Sequence, residues 1–483
     1  MTRSHILKQL LFLILVSALI LSACQPAPVP TTEVPEQEEP APQEQMTEEP
    51  APQEPTAEEP AEEPTQPEPA PAAASGNLLI WVQQANQDVF EQTVLPNFQE
   101  QYPDISIEWV NYPPADVADQ MVLAIQGGTG GPDLGITENA SIGRLVDLGG
   151  LMDLTDKLAP YKDQLSEFAL EEGSKDGKNY CVPWDIGPVV TFYRRDIFEA
   201  AGLSSDPEEV SSMVATWDSF LETCRTIKEE TGLNCFALNK ANNYGDYFFN
   251  MTWSQGLGLY SDEGEVLVDG PEYVAALEKL GEFWEADVVS DNLEWTDNWY
   301  AEMNASMDDP NVKPVASVVI AAWMGNFLKT WIAADQAGNW GVARMPAWQE
   351  GGTRSANQGG SCAFIPEGSS NPDAAWAFIE YMLLDKDNQV KIFEYSDYFP
   401  AYEATYTDPL FNQPDAYFGD QVTRSPFAEV AQEIPTANQY GPFSQAIRGA
   451  VATAIQQFAI GQKTAEEALK EAADTIRTDT GLR

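Results

Sequence analysis

The sequence predicts an α/β protein built on an open parallel sheet and preceded by a signal peptide and a disordered tether. Apolar strand and helix patterns alternate from residue 77 onward, residues 1–24 place positive charge before an apolar run, and residues 25–75 are dominated by proline and glutamate. The chain has 483 residues, of which 43% are hydrophobic, so about three domains fit its length and most of it should fold.

The leader has the order of a secretory signal. Arg3 and Lys8 supply positive charge, and the apolar run at 10–20 is too short for a membrane-spanning helix of about 20 residues. The segment ends in Leu-Ser-Ala-Cys at 21–24, which resembles the bacterial lipobox, whose cysteine becomes the lipidated first residue of the mature protein. We therefore expect Cys24 to carry lipid. The alternative is an ordinary signal peptide or N-terminal anchor in which Cys24 is incidental.

Residues 25–75 form a low-complexity segment. They hold 13 Glu and 14 Pro with no Lys, Arg or aromatic residue, and Glu-Glu-Pro-Ala-Pro-Gln-Glu occurs at 38–44 and again at 48–54. Such a segment has too little apolar surface to offset the entropy of ordering, so it should stay disordered, and proline and like charges should extend it. We interpret it as a spacer that holds a folded body away from a membrane surface.

The charge balance excludes several classes of function. The formal net charge is −51, so binding to nucleic acid, or to anionic lipid by charge alone, is not expected. The one histidine, His5, lies in the leader, so the mature chain would lack imidazole for Ser-His-Asp or Cys-His catalysis and for His-ligated zinc. No motif for a metal ion or an organic cofactor is found, and we predict neither.

The folded body begins with alternating strands and helices. The patterns predict five elements in this order: strand 77–82, helix 88–101, strand 105–110, helix 115–126 and strand 134–136. This order predicts parallel strands with ligands near their carboxyl ends. Later segments have the amphipathic pattern of core-forming helices: 216–230, 272–286, 372–384 and 465–476. The last of these begins with a capping box formed by Thr464 and Glu467.

Four cysteines lie in the folded body, and an exported compartment permits disulfides. Cys224 and Cys235 are 11 positions apart and flank the predicted end of a helix at Gly232, so we expect them to pair. Cys181 and Cys362 form a possible second pair over a long sequence separation. Metal ligation is the alternative, although no Cys-x-x-Cys spacing occurs.

Two further features bear on chemistry. The glycine cluster at 127–131 follows a helix and lacks a Gly-Lys-Ser/Thr ending, so we interpret it as a connector and not as a phosphate loop. Asp185 stands beside Trp184 at a predicted strand end, where a glycosidase would need a second carboxylate about 5–10 Å away.

Tryptophan gives a more specific signal. The chain has 13, of which several lie in loops or at element ends beside polar residues: Trp81, Trp184, Trp253, Trp295, Trp299 and Trp323. A rigid indole face suits the apolar face of a sugar ring, while neighbouring Asp, Glu and Asn side chains suit its hydroxyls. As a group these residues favour a carbohydrate pocket. Each one alone could equally be a core residue.

Short motifs follow one another in a fixed order along 76–483. The longest are Asp-Gly-Lys-x-Tyr-x-Val-Pro-Trp-Asp at 176–185 and Phe-Tyr-Arg-Arg-Asp-x-Phe at 192–198. Others are Gly-Pro-Asp-Leu at 131–134, Leu-Gly-Gly-Leu-x-Asp-Leu-Thr at 148–155 and Asn-Pro-x-Ala-Ala-Trp at 371–376. In this order they resemble the bacterial extracellular solute-binding proteins of family 1, the sugar-binding lipoproteins of ABC importers.

The resemblance implies a periplasmic-binding-protein fold of type II, with two α/β lobes joined by a hinge that several segments cross. Lobe one would comprise 76–187 with 364–398, and lobe two 188–363 with 399–483. It implies a monomeric, non-enzymatic protein at the cell surface or in the periplasm. The lobes would close on a small solute, most simply a mono- or oligosaccharide, for delivery to the membrane-spanning subunits of an ABC permease.

The resemblance also implies the positions that face the cleft. They are Trp81, Glu138, Trp184, Asp185, Trp253, Trp323, Gly359, Gly360 and Tyr398. Trp184 would stack on the ligand while Asp185 accepts a hydrogen bond, and Trp323 would close the opposite face. Gly359 and Gly360 would bring the backbone close because neither has a Cβ atom. The order Ala-Trp-Met-Gly at 322–325 departs from the Gly-x-Trp common in that family.

Other functions stay open from the sequence. A secreted carbohydrate-cleaving enzyme would use a carboxylate pair, and an adhesion or scaffold protein would have no small-molecule ligand and no closure. Within the same fold, a polyamine or another polar solute could replace the sugar, because the chain has carboxylates in excess.

Overall fold

The computed structural model describes the chain over residues 74–113, 116–128, 130–240, 246–436 and 440–483. The signal peptide at 1–24, the lipidation site Cys24 and the tether up to residue 73 lie outside the described residues. So do position 115 of a predicted helix and position 129 of the glycine cluster. These expectations stay predictions.

Twelve strands are found in the described ranges. They are β1 Gly76–Val82, β2 Ile105–Asn111, β3 Leu134–Glu138, β4 Ser174–Lys175, β5 Lys178–Asn179, β6 Val182–Arg194, β7 Asn234–Ala237, β8 Val289–Ser290, β9 Val315–Ala321, β10 Trp340–Arg344, β11 Asn357–Phe364 and β12 Phe399–Pro400. Ten of them form one sheet in the order β2-β1-β3-β11-β6-β9-β7-β8, with β10 and β12 also paired to β6, while β4 and β5 form a separate hairpin.

The helices of the same ranges cover the sheet. The first nine α-helices are α1 Gln84–Thr93, α2 Leu95–Gln101, α3 Asp116–Gly127, α4 Asn139–Leu148, α5 Thr155–Leu158, α6 Glu167–Glu172, α7 Arg195–Ala200, α8 Pro207–Met213 and α9 Trp217–Thr231. The later ones are α10 Asp246–Trp253, α11 Pro271–Glu285, α12 Asp297–Asn304, α13 Met324–Phe327, α14 Pro372–Leu383, α15 Lys386–Ser396, α16 Arg424–Gln432, α17 Ser444–Ala459 and α18 Ala465–Thr480. Short 3-10 turns lie at Lys162–Gln164, Ala334–Gln336, Glu403–Thr407, Pro409–Asn412 and Ala416–Phe418, and a π-helical turn at Leu328–Ile332. In these described parts of the chain, no helix is both long and apolar enough to cross a membrane.

The predicted opening of the domain is confirmed in order and direction. Strand β1 pairs in parallel with β2 and with β3, as the alternation of strands and helices predicts. The predicted helix at 88–101 is two helices, because the backbone bends at Val94 and Pro96 lacks the N–H that a continuous helix needs. The capping box of Thr464 and Glu467 opens the last helix, which continues beyond its predicted end.

The sheet is mixed, and the expectation of an all-parallel sheet is therefore wrong beyond the first strands. Strand β6 has 13 residues, all buried. Its first half pairs antiparallel with β11 and β12, and its second half pairs antiparallel with β9 and β10. One long strand thus belongs to two sets of strands. This arrangement agrees with the two-lobed α/β architecture that the sequence predicts. The exact lobe boundaries, 76–187 with 364–398 and 188–363 with 399–483, stay predictions.

Separate apolar clusters fill the two halves. Rings that include Phe90, Phe98 and Phe378 pack under β1 and β3, and rings that include Trp217 and Phe236 pack beside the second half of β6. Full burial of each such side chain stabilises the fold by about 2–3 kcal/mol. Each half therefore has a core of its own, and β6 and β11 run between them.

Glycine is required where β6 meets β11. A Cβ atom at Gly187 would lie 1.9 Å from the carbonyl oxygen of Gln358. The Gly187 N–H also donates to the side-chain oxygen of Asn357 at 2.8 Å. This close crossing fixes the two strands that hold most of the site described below.

The structure joins Cys224 of helix α9 to Cys235 of strand β7 in a disulfide with an S–S distance of 2.08 Å. Cys181 and Cys362 are buried free thiols, so the possible second pair is not formed. Burial and the neighbouring Cys181 thiol hold the pKa of Cys362 well above its usual range. A raised pKa leaves little of the thiolate, which is the form of cysteine that reacts to make a disulfide.

Candidate ligand-binding cleft

A cavity of about 550 Å³ lies where β3, β6 and β11 come together. Its walls come from segments distant in sequence: Gln83, Asn86, Glu138, Ala140, Asp185, Trp295, Trp323, Phe327, Gly359, Gly360, Ser361, Tyr398, Gln445 and Arg448. A larger cavity of about 690 Å³ lies between helix α4 and Tyr440, and its wall includes four acidic residues, one lysine and two tyrosines. The first cavity combines aromatic faces with polar groups, as small-molecule sites do.

Two carboxylates lie on strands that flank β11. Ser361 of β11 is opposite Glu138 at the end of β3 and opposite Asp185 in β6. Because adjacent strands lie about 4.8 Å apart, the backbones at Glu138 and Asp185 are separated by roughly 10 Å. Glu138 ends a parallel strand, which is where an α/β sheet is expected to meet its ligand.

Aromatic rings form another part of the cavity wall. The ring of Trp323 lies 5.7 Å from Trp295 and 5.6 Å from Phe327. The indole N–H of Trp323 donates to the carbonyl oxygen of Gln358 at 3.0 Å, which fixes the plane of the ring. Tyr398 adds a further ring and packs against Trp184 at 5.6 Å.

Arg448 brings a positive charge to the cavity. Its Nη2 atom pairs with an Asp246 oxygen at 2.6 Å, and the other oxygen of Asp246 accepts from Gln358 at 3.1 Å. The guanidinium also lies over the rings of Phe249 and Trp253, at 5.1 and 5.6 Å. Its buried Nη1 atom has no hydrogen-bond partner within the described part of the chain. This donor is held in place and free for a ligand.

Burial shifts the pKa of both carboxyl groups upward. Burial raises the pKa of Glu138, and the Gln83 amide and the Arg448 charge only partly oppose this. Burial raises the pKa of Asp185 to about 7 despite hydrogen bonds from Ser361. Asp185 Oδ1 is buried without a hydrogen-bond partner among the residues that the structure describes. Unsatisfied buried polar atoms of this kind are stabilised when ligand hydroxyls pair with them.

The structure brings six of the nine expected cleft residues to the cavity wall: Glu138, Asp185, Trp323, Gly359, Gly360 and Tyr398. The other three lie behind it. Trp81 packs on Tyr112, and Trp253 stacks on Phe249 below Arg448. Trp184 is 1% exposed and lies between Phe90 and Tyr398, so it positions Tyr398 from behind.

The glycines at the cavity have left-handed backbone conformations, with φ of 88° at Gly359 and 95° at Gly360. A Cβ atom at Gly360 would lie 2.6 Å from the carbonyl oxygen of Asp185. The Gly359 N–H donates to the Tyr440 hydroxyl at 3.2 Å. The pair therefore allows β11 to pass close to Asp185.

Sequence reasoning missed several residues of the wall: Gln83, Asn86, Ala140, Phe327, Ser361, Gln445 and Arg448. Phe327 follows Trp323 by four positions, a spacing that places both on one helix face, so that signal was available. Arg448 and Gln445 come from helix α17, far along the chain, and nothing in their local sequence distinguishes them.

The raised pKa of Asp185 predicts a pH dependence of stability. The folded state holds this proton up to about pH 7, whereas an ordinary carboxyl loses it near 3.8. Folding therefore takes up a proton in this window, and the free energy of unfolding should fall as the pH rises through it. Urea unfolding of the protein and of Asp185→Asn at several pH values measures this. The variant should gain stability relative to the parent protein towards pH 7, and a constant difference would contradict the prediction.

In the ranges that the structure describes, no cluster of three or more Cys, His, Asp or Glu side chains has the geometry to hold a metal ion. The arrangement of the cavity is that of a site for a polar molecule with apolar faces.

Comparison with known proteins identifies relatives of the whole folded body. A sequence profile described as bacterial extracellular solute-binding protein matches residues 94–419. An arabinooligosaccharide-binding protein of Halalkalibacterium halodurans is 27% identical over 405 residues, which cover 81% of this chain and 86% of that protein. A lactose-binding protein of Rhizobium radiobacter is 28% identical over 393 residues, which cover 79% of this chain and 87% of that protein.

Solved structures share the fold. The GacH receptor of Streptomyces glaucescens, solved unliganded and with acarbose, has a TM-score of 0.68 at 22% identity, and the match covers 84% of this chain and 98% of that one. The galacto-N-biose-/lacto-N-biose I-binding protein of the Bifidobacterium longum ABC transporter has a TM-score of 0.70 at 18% identity, with coverages of 85% and 99%.

Proposed function

The chain belongs to the bacterial extracellular solute-binding protein family, and from this premise we propose that it binds a mono- or oligosaccharide in the cleft and delivers it to the membrane-spanning subunits of an ABC importer. The relatives named for an arabinooligosaccharide and for lactose support a sugar as the solute. The cavity of about 550 Å³ is large enough for a small saccharide.

One observation carries the proposal: the wall of one cavity combines flat aromatic rings with polar groups. Trp323 and Phe327 offer flat apolar faces, on which the C–H face of a sugar ring packs. Asp185, Glu138 and Arg448 offer acceptors and a donor for its hydroxyls. The unpaired atoms Asp185 Oδ1 and Arg448 Nη1 would gain partners when the sugar enters.

The same geometry couples binding to closure. On the lobe boundaries that the sequence predicts, Glu138 and Asp185 belong to lobe one, whereas Trp323 and Arg448 belong to lobe two. A sugar that contacts both sides binds the closed arrangement better than an open one, and this difference in affinity shifts the population towards closure. The closed arrangement is then the form that a permease recognises.

Binding without chemistry is part of the proposal. Glu138 and Asp185 are a carboxylate pair with raised pKa values, which is the feature that a carbohydrate-cleaving enzyme would share. The relatives identified above are named as binding proteins and not as hydrolases. We assign the two carboxyl groups to hydrogen bonding with sugar hydroxyls.

We further propose a monomer anchored to the membrane through lipid on Cys24, at the cell surface or in the periplasm. The segment 25–75 would serve as the tether, and 51 residues in an extended polyproline conformation would reach up to roughly 160 Å. This reach would let one binding protein meet its permease without leaving the membrane.

A thermal-shift panel tests the proposed function. The probes are mono- and oligosaccharides of arabinose, galactose and glucose, together with polyols, amino acids and polyamines. A sugar present at a hundred times its Kd should add about 2.7 kcal/mol to the free energy of unfolding and raise Tm accordingly. If only polyamines raise Tm, the solute is a cation and not a sugar. If no probe raises Tm, the result favours a scaffold protein without a small-molecule ligand. Trp323→Ala is the control that should lose the shift.

A further inference from the structure

A row of aromatic rings leads out of the cleft to the protein surface. Trp323, Phe327 and Trp331 follow one another at four-residue spacing, so they share one face of the helical segment that contains them. Their ring centroids are 5.6 and 5.7 Å apart. The row begins in the cavity wall and ends at Trp331, which is not part of that wall.

The outer end of the row is open to solvent. The Trp331 side chain is 52% exposed, and Tyr300 meets it edge-on at 4.8 Å. Trp295, 39% exposed, contacts both Trp323 and Phe327 at the cavity rim. A contiguous exposed aromatic patch of this kind marks an interaction site.

The backbone is strained to display one of these rings. Trp295 has a φ of 63°, a left-handed conformation that bulky residues rarely adopt. Such a conformation persists where the surrounding structure holds the residue in place.

Polar groups accompany the outer rings. Asp297 and Tyr300 lie three positions apart in helix α12, and burial together with the Asp297 charge raises the pKa of the Tyr300 hydroxyl. Thr330 is exposed next to Trp331. The outer surface therefore combines aromatic rings with polar groups, as the wall of the cavity does.

We propose that Trp331 and Tyr300 form an outer subsite that binds the distal rings of an oligosaccharide whose first rings occupy the cleft. This inference rests on the proposed function and names its substrate class as chains of several sugars. Two ring-to-ring steps of 5.6 and 5.7 Å lead from Trp323 to Trp331, and together they span more than one sugar ring. The continuity of the row with the cavity wall identifies the occupant as an extension of the cleft ligand. A permease contact would not require that continuity.

The test compares Trp331→Ala with the unmodified protein by calorimetry. The probes are arabino-, galacto- and malto-oligosaccharides of one to six rings, so that the effect of chain length is read within one series. Affinity for the longer chains should fall roughly fivefold to twentyfold, to the level of the shorter chains, because one stacking contact is lost. Affinity for one or two rings should be unchanged.

Tyr395→Ala is the matched control. Tyr395 is 51% exposed, and its ring contacts no other ring in the part of the chain that the structure describes. It should leave every affinity unchanged. Equal loss for short and long chains in Trp331→Ala, or no loss at all, would overturn the outer subsite. If the unmodified protein binds none of the sugars, the proposed function itself fails. If the affinities are unchanged but uptake in a reconstituted importer is slower, the aromatic row contacts the permease and not the sugar.

Discussion

Trp323→Ala is expected to weaken sugar binding by about 2–4 kcal/mol, or roughly thirtyfold to a thousandfold in Kd. Trp323 joins the cavity wall to the aromatic row, so its removal takes away the main flat face and loosens both neighbouring rings. Isothermal titration with the best sugar from the panel measures the change.

Trp323→Phe separates the face of the ring from its hydrogen bond. It keeps an aromatic surface and loses the N–H that donates to Gln358. We expect its Kd to rise by a factor that is about a tenth to a third of the factor for the alanine variant. If Trp323→Ala binds as tightly as the unmodified protein while remaining folded, the cavity is not the sugar site.

Arg448→Met is expected to lower the free energy of unfolding by about 3 kcal/mol or more, even without ligand. Arg448 and Asp246 are both largely buried, with side chains 11% and 15% exposed, and they pair at 2.6 Å. Removing one partner leaves an uncompensated buried charge, which lowers the free energy of unfolding by about 3–5 kcal/mol. Urea unfolding at pH 7 measures the loss.

The double variant Arg448→Met with Asp246→Asn provides the control. Because the second change removes the stranded charge, it should recover a large part of the stability, and the two changes should be far from additive. Sugar affinity should stay low in both variants, since the donor at Arg448 is missing. Additive losses would mean that the pair makes no specific contribution.

The first part of the fold could be predicted from sequence because its order is local. Strands β1, β2 and β3 each follow a helix or open the domain, and local periodicity identifies them. The dual role of β6 could not be predicted in the same way. Its 13 residues form one buried strand, and only contacts with β9, β10 and β11, far away in sequence, show that it belongs to two sets of strands.

The candidate site shows the same limit. Trp184 and Asp185 are adjacent in β6, and successive strand residues point to opposite faces, so both could not face one cavity. Asp185 lines the cavity while Trp184 packs into the core behind it. Period-two alternation would have separated them before the structure was known. Arg448 reaches the cavity only through the packing of helix α17, which no local pattern reports.

The most direct test incubates the purified protein with an oligosaccharide that it binds and then accounts for every sugar molecule. We expect one sugar per chain in the bound fraction and full recovery of the same oligosaccharide after release. Cleavage products that vanish in Asp185→Asn would contradict the account, since the carboxyl groups would then be acting on the bond instead of holding the hydroxyls.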